Sequence, residues 1–233
     1  MISFPSELNT YNKLVLESFA SKNEEIKYAA SYALGYLGIR NIQKSIPFIL
    51  HEIDRNSRHQ YLLFHSLKEL ISYFILQSNG FQLFKPFIND VWRKLLEYCK
   101  SPEEATRNVV AECLGKLAVL DPLNLRNLKN NLDSSAPCVR STILTAIKNI
   151  ITDKSHPIER IMYDCLGKVL NALQDTDLNV RRVALVTINL VAHNKPVLVR
   201  DLLVTTRLEK INQPLLNFVY NETKVKIYFT DIK

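Results

Sequence analysis

Histidines and cysteines are the residues of this sequence most suited to metal chemistry, but their spacing does not build a metal site. The stretch HEIDR, from His51, resembles a zinc-protease motif, but Arg55 stands where the second histidine ligand would be. The five histidines lie far apart, at positions 51, 59, 65, 156 and 193. The four cysteines show no CxxC spacing: Cys99, Cys113, Cys138 and Cys165. No metal centre is therefore predicted.

Two pairs of adjacent carboxylates, Glu24-Glu25 and Glu103-Glu104, are the candidates for general acid–base chemistry. Each pair falls in the first turn of a predicted helix, where negative charge stabilises the helix dipole. That structural role is the simpler explanation. The sequence also has no GxSxG nucleophile turn and no phosphate-binding glycine loop. We therefore expect no enzyme activity, no cofactor and no small-molecule substrate.

A basic residue follows a β-branched residue at the start of four predicted helices. The pairs are Ile26-Lys27, Thr106-Arg107, Val139-Arg140 and Val180-Arg181. From this position a long side chain can reach back over the turn between two helices. We predict that Arg181 bonds Asp175, the turn carbonyls or the equivalent neighbouring turn, so that these residues form a ladder between repeats. Direct contact with a partner is the alternative role.

Arg182 differs from these ladder residues. It lies off the apolar stripe of its helix, and Ser141 occupies the equivalent position 41 residues earlier. We predict Arg182 to be a contact residue for a partner.

The elements that carry these residues are predicted to be helices arranged in repeats. Residues 26–37 align with 106–117 at an offset of 80, and residues 139–150 align with 180–191 at an offset of 41. A period near 40 residues is typical of HEAT and armadillo arrays, in which stacked helix pairs bury each other's apolar stripes. The sequence therefore predicts an all-α, right-handed α–α superhelix of about five to six helix pairs.

The apolar periodicity also gives approximate bounds for the elements. The array is predicted over residues 1–226, with a divergent tail at 227–233. The predicted pairs are 6–19 with 23–38, 42–53 with 57–77, 83–99 with 103–119, 123–132 with 136–151, 158–173 with 178–193, and 197–219 with a helix starting at 222.

Two groups of side chains in these helices are predicted to be packed. Tyr28, Tyr32 and Tyr36 share one face and are predicted to form a packed ridge. Cys113 and Cys165 are predicted to be buried.

Composition is that of a folded, soluble and intracellular protein. The chain has 233 residues, of which 47% are hydrophobic, and a net charge of +7. No apolar stretch reaches the roughly 18 residues that a membrane span needs, and the N-terminus lacks the pattern of a signal peptide. The basic residues are scattered, which argues against nucleic acid as the partner. A helical-repeat adaptor in transport or in a nucleic-acid-associated complex is the alternative function.

Several stretches of the sequence resemble the cullin-associated, neddylation-dissociated protein family. They are SYALGYLG, HQYLLFHSLKELIS, ATRNVVAECLGKLAVLDP, LNVRRVALVTINLVAHNKPVLVRDLL and YNETKVK. The resemblance covers most of residues 24–226. RNVVAECLGKL and NVRRVALVT are far more specific than a generic HEAT pattern.

This resemblance implies a non-catalytic scaffold. Members of the family are long HEAT solenoids that bind unneddylated cullins and the cullin–RING ligase core. They exchange substrate-receptor modules and so regulate the assembly of SCF-type ubiquitin ligases, which implies a cytoplasmic and nuclear location. No residue here marks the cullin footprint, so no contact residue is transferred from the family.

Length distinguishes this chain from that family, whose members are several times longer. The sequence resembles a segment of their C-terminal half. We therefore expect it to be a fragment whose two ends present apolar helix faces, and to self-associate or be poorly soluble when expressed alone.

Overall fold

A computed structural model describes residues 4–152, 159–194, 197 and 199. The described residues form α-helices joined by short turns. The helices are α1 (Phe4–Ser18), α2 (Glu24–Ile39), α3 (Ile42–Arg55), α4 (Gln60–Ile75), α5 (Gly80–Phe84), α6 (Ile88–Tyr98), α7 (Glu104–Leu120), α8 (Asn124–Asn131), α9 (Pro137–Thr152), α10 (Glu159–Asn171) and α11 (Leu178–Asn194). The predicted sixth helix pair and the tail at 227–233 lie outside the described residues, apart from 197 and 199.

Consecutive helices pack as pairs, and the pairs stack. The chain divides into two compact units, Met1–Leu120 and Asp121–Lys233. In the first unit the second helices of the three pairs contact one another in the order α2, α4, α7. In the second unit α8 contacts α10 and α9 contacts α11. The all-α fold of stacked helix pairs, of the HEAT and armadillo type, is therefore confirmed.

Side chains in the turns cap two of the second helices, α2 and α11. The Asn23 Oδ1 accepts a hydrogen bond from the Glu25 N–H at 2.8 Å. The Asp177 Oδ1 accepts one from the Val180 N–H at 3.0 Å. These oxygens satisfy backbone donors that the first turn of a helix leaves unpaired.

The core lies between the helices of each pair and between the second helices of neighbouring pairs within each unit. In α4 the side chains of Leu63, Phe64 and Leu67 are fully buried. The thiols of Cys113 and Cys165 are also buried, which confirms their predicted role as small apolar residues. Burial raises the pKa of the Cys113 thiol far above its usual range, so this thiol stays protonated.

One predicted helix, 83–99, is interrupted. The segment begins earlier, as the short helix α5, and a 3₁₀ turn over residues 85–87 separates α5 from α6. Pro86 lies at the start of this turn. A proline has no N–H to donate, so one helical hydrogen bond is lost at Pro86, which favours the break there. The apolar periodicity continues across the break, which is why the sequence predicts one helix.

Glycine sets the distance between α2 and α4. Gly35 and Gly38 are both buried on the face of α2 that meets α4. A Cβ on Gly35 would lie 2.7 Å from the Ser66 carbonyl oxygen, and one on Gly38 would lie 2.6 Å from the Leu70 Cδ1. The two helices therefore approach more closely than any larger residue at Gly35 would permit.

Candidate partner-binding surface

Three of the predicted ladder arginines hold the turn that precedes their own helix. In each case the Nη1 atom donates to two successive turn carbonyls, five and six residues earlier. Arg107 donates to Ser101 and Pro102 at 2.7 and 2.9 Å, Arg140 to Ser134 and Ser135 at 2.7 and 3.2 Å, and Arg181 to Asp175 and Thr176 at 2.6 and 3.0 Å. In each turn, a charged guanidinium thus donates hydrogen bonds to two backbone carbonyls.

Arg140 also joins two helix pairs. Its Nε and Nη2 atoms donate to the two carboxylate oxygens of Asp175 at 2.7 and 2.6 Å. The two side chains are only 13% and 11% exposed. Asp175 lies in the turn between α10 and α11, whereas Arg140 belongs to α9, so this planar pair connects one repeat to the next within the second unit.

The same contacts shift both pKa values. The hydrogen bonds from Arg140 hold the pKa of Asp175 below its ordinary value, and those to Asp175 raise the pKa of Arg140. Hydrogen bonding to the charged forms outweighs the opposing effect of burial.

The stability that Asp175 contributes should therefore depend on pH. A carboxylate whose folded-state pKa is depressed stabilises the protein above its unfolded pKa, about 3.9 for aspartate, and loses that contribution as the pH falls through the lower folded value. We expect Asp175→Asn to lower the free energy of unfolding at pH 7, with the difference from wild type shrinking below about pH 4. Urea titrations of both proteins between pH 3 and pH 7 measure this difference. A difference that stays constant over the whole range would contradict the assignment.

Lys27, the predicted ladder residue of the first pair, has a different contact. Its Nζ lies 2.7 Å from the Glu24 Oε1, and the Tyr61 hydroxyl of α4 donates to the Glu24 Oε2 at 3.3 Å. The bond from Lys27 lowers the pKa of Glu24. Burial, followed by the negative charge of Glu24, raises the pKa of Tyr61 to about 12. Lysine carries one compact ammonium rather than a planar fork, which explains why it does not reproduce the arginine contact.

Further ion pairs between helix pairs were missed by sequence reasoning. They are Lys94–Asp54 at 2.7 Å, Lys68–Glu112 at 3.2 Å and Lys168–Asp133. Like Arg140–Asp175, each joins residues 35 to 44 positions apart, about one repeat. Opposite charges that lie about one repeat apart in the sequence could therefore have predicted these ion pairs.

A row of tyrosines covers one exposed face of α2. Tyr28, Tyr32 and Tyr36 are 41%, 44% and 61% exposed, so the predicted packed ridge is wrong for much of their surface. Tyr28 does contact α4, with its ring edge-on to Tyr61 and His65 at centroid distances of 6.4 and 5.4 Å. The remaining rings are available to a partner, and tyrosine is enriched at protein interfaces.

A second exposed surface runs along α11 in the other unit. Leu178, Arg182 and Val186 follow one another at four-residue spacing, and we call them the α11 stripe. Leu178 and Val186 are 61% and 54% exposed, and Arg182 is exposed between them. Apolar side chains around an arginine make a composition suited to protein contact.

Within residues 4–152 and 159–194, no group of three histidine, cysteine, aspartate or glutamate side chains could hold a metal ion. In the same ranges, no helix combines the length and the apolar character that crossing a membrane would need. The exposed faces of α2 and α11 are the surfaces we consider for function.

Sequence comparison relates the chain to named proteins. A Drosophila melanogaster protein named cullin-associated NEDD8-dissociated protein 1 is 40% identical over 222 residues, or 95% of this chain. The chain belongs to the family of cullin-associated NEDD8-dissociated proteins. A Rattus norvegicus family member, protein 2, is 38% identical over 97% of the chain. The chain spans 17% of the length of each of these two relatives.

Another family member places the matched segment more closely. The Emericella nidulans protein named cullin-associated NEDD8-dissociated protein 1, C-terminal part, is 31% identical over 78% of the chain. This agrees with the expected origin in the C-terminal half. No protein-family profile matches the chain.

Solved structures support the fold alone. One comes from work on microtubule plus-end tracking by XMAP215, CLIP-170 and EB1. It has a TM-score of 0.58 and 16% sequence identity, and the match covers 91% of this chain and 89% of that chain. Another, from work on arrays of tumor overexpressed gene domains that recruit tubulin, has a TM-score of 0.57 and 18% identity, with coverages of 89% and 45%.

Proposed function

We propose that this chain binds a cullin through the exposed faces of its second helices. The observation that carries the proposal is its 40% identity, over 95% of its length, to a protein named for its association with cullins. The tyrosine row and the α11 stripe supply aromatic, apolar and arginine side chains, the types that dominate protein interfaces. The proposed partner is an unneddylated cullin within a cullin–RING ligase core, in the cytoplasm and nucleus.

The proposed activity is regulatory and needs no catalytic group. A scaffold that occupies a cullin competes with whatever else would occupy the same surface. It thereby promotes the exchange of substrate-receptor modules and regulates the assembly of SCF-type ligases. Such an effect requires only that the scaffold bind one state of the cullin more tightly than another. The ladder residues and the salt bridges between pairs would hold the binding face in shape.

The α11 stripe gives the sharpest test. We expect Arg182→Glu to weaken binding to an unmodified cullin by about 10- to 100-fold, because it reverses a charge at the centre of the proposed contact. Isothermal titration calorimetry with the purified proteins measures this change. The matched control is Arg93→Glu on α6, which makes the same charge change at another exposed arginine and should leave the affinity within about twofold.

Three outcomes would count against the proposal. Equal weakening by the two variants would show that net charge matters and the stripe does not. No measurable binding of the wild-type chain to any unmodified cullin would refute the proposed partner. Binding to nucleic acid that falls steeply with salt, without preference for a cullin, would favour the alternative adaptor.

A further inference from the structure

The exposed face of α2 is aromatic and acidic. Within this helix the exposed charged residues are Glu24 and Glu25, and the tyrosine row follows them along the chain. Lys27 is the only cation of the helix, and its ammonium lies 2.7 Å from the Glu24 carboxylate with the side chain 21% exposed. A face of this kind stands out in a chain whose net charge is +7.

The tyrosine row occupies positions that other second helices also expose. Five residues after the ladder residue of each helix, Tyr32 of α2 is equivalent to Glu112 of α7 and Val186 of α11. The Glu112 side chain is 41% exposed and Val186 is 54% exposed, although α7 packs on α4 and α11 packs on α9. Residues at this position thus stay accessible beside a packed neighbour, and α2 differs in carrying an aromatic ring there.

The neighbouring helices add further carboxylates beside the row. A Cβ placed on Gly35 would lie 2.9 Å from the Glu69 Cβ, so Glu69 adjoins the row. The Lys68 ammonium lies 3.5 Å from Glu69 and 3.2 Å from Glu112, and its side chain is 13% exposed. Glu24, Glu25, Glu69 and Glu112 therefore place four carboxylates around two ammonium groups, those of Lys27 and Lys68, which both already pair with carboxylates. The surroundings of the row are net negative.

The spacing of the row suits an extended peptide. Its tyrosines are four residues apart on a helix that rises about 1.5 Å per residue, so successive rings are about 6 Å apart along the axis. Alternate side chains of an extended chain point to the same side, about 6.6–6.8 Å apart. Arginines at alternate positions can therefore meet successive rings. A guanidinium both stacks on an aromatic face and bonds carboxylates, which are the two kinds of group present here.

From the charge and the spacing we propose that this face of α2 binds an extended partner segment with arginine at alternate positions. Guanidinium groups lie on the rings of Tyr32 and Tyr36, and another pairs with the Glu25 carboxylate. The α11 stripe, with Arg182 at its centre, carries the opposite charge and does not bind such a segment. The inference goes beyond the proposed function, because it does not require a cullin to supply the segment.

Fluorescence anisotropy with a labelled peptide tests the proposal on the full chain. The peptide has four arginines that alternate with serine, and it is titrated in about 50 mM salt, where screening is limited. We expect saturable binding, at least about threefold tighter than that of the same peptide with lysines, because a guanidinium stacks on tyrosine better than an ammonium does. If a version with leucines bound as tightly as the arginine peptide, the occupant would be apolar and the proposal would be wrong.

A substitution in the row tests the part played by the rings. Tyr32→Leu keeps an apolar side chain but removes the aromatic face, and should weaken binding of the arginine peptide about three- to fivefold. The matched control is Tyr11→Leu, at a tyrosine of α1 that is 52% exposed, and it should change the affinity by less than about 1.5-fold. Circular dichroism shows whether both variants are folded. Equal weakening by the two variants would overturn the proposal.

A second variant tests the carboxylate. Glu25→Gln removes one negative charge and should weaken binding of the arginine peptide about threefold. Glu104→Gln makes the same change at an exposed glutamate in the first turn of α7 and serves as its control. An effect of Glu25→Gln no larger than that of Glu104→Gln would contradict the proposed pairing.

Sedimentation velocity of the peptide-free chain tests another occupant, a second copy of the chain. If Tyr32→Leu converted an associated wild-type chain into a monomer, a second copy would cover the face, and the proposal would be refuted. A sedimentation profile that Tyr32→Leu leaves unchanged is the expected result. None of these measurements uses a cullin, so failure of the proposed function would leave them unchanged.

Discussion

Replacing Gly35 with alanine should lower the free energy of unfolding by about 2–3 kcal/mol. The added Cβ would lie 2.7 Å from the Ser66 carbonyl oxygen and 2.9 Å from the Glu69 Cβ. Both atoms are fixed to the backbone of α4, so no rotation of a side chain can relieve the contact. Either α2 or α4 must shift, and the packing between the first two helix pairs must shift with it.

Gly167→Ala is the matched control and should have the opposite sign. Gly167 lies inside α10, and a Cβ placed there meets nothing within 4 Å. Alanine is a better helix former than glycine by about 0.5–1 kcal/mol, so this variant should be slightly more stable than wild type. Urea unfolding followed by circular dichroism measures both variants. If Gly35→Ala proved neutral or stabilising, the close approach of α2 and α4 would be wrong.

The role of Gly35 shows where sequence reasoning stops. The Leu-Gly pair at Leu34 and Gly35 recurs at Leu114 and Gly115, so the sequence reveals that a glycine is repeated. It does not reveal which helix approaches that glycine, because apolar periodicity describes one helix face and not the neighbour that covers it. The distance between Gly35 and Ser66 depends on how α2 and α4 pack together, which the sequence of one helix does not show.

The helices themselves were far easier to predict. The offset of about 40 residues and the apolar periodicity predict most helix pairs of the described residues to within a few positions. The exception is the break at Pro86, where the apolar pattern continues but the regular helix is interrupted. Local signals therefore determine most helix bounds.

The candidate surfaces were only partly predictable. Arg182 was distinguished by its lack of a basic counterpart, and the structure places it between two exposed apolar residues. The tyrosines of α2 share a face in the sequence, but their exposure depends on what lies beside α2. The same holds for Ile26, whose equivalents are buried. A repeat period reveals equivalent positions, whereas a structure is needed to find the position whose neighbour differs.

Arg140→Ala should lower the free energy of unfolding by about 2–4 kcal/mol, the other large effect we expect. The variant leaves the Asp175 carboxylate, only 11% exposed, without its counter-charge, and it leaves the carbonyls of Ser134 and Ser135 without a charged donor. Arg140→Lys should recover only part of the loss, because one ammonium cannot replace a planar fork that bonds two oxygens of Asp175 and the turn at once. Urea titrations at pH 7 measure all three proteins.

Arg182→Ala separates this structural role from partner contact. Arg182 directly follows the ladder residue Arg181 but is exposed, so its removal should change the free energy of unfolding by less than about 0.5 kcal/mol. In cullin binding the order should reverse: under conditions where both variants are folded, Arg182→Ala should weaken binding more than Arg140→Lys. If Arg140→Ala were as harmless to stability as Arg182→Ala, the contact between Arg140 and Asp175 would not hold the two helix pairs together. If Arg182→Ala and Arg140→Lys weakened cullin binding equally, the α11 stripe would have no special part in that binding.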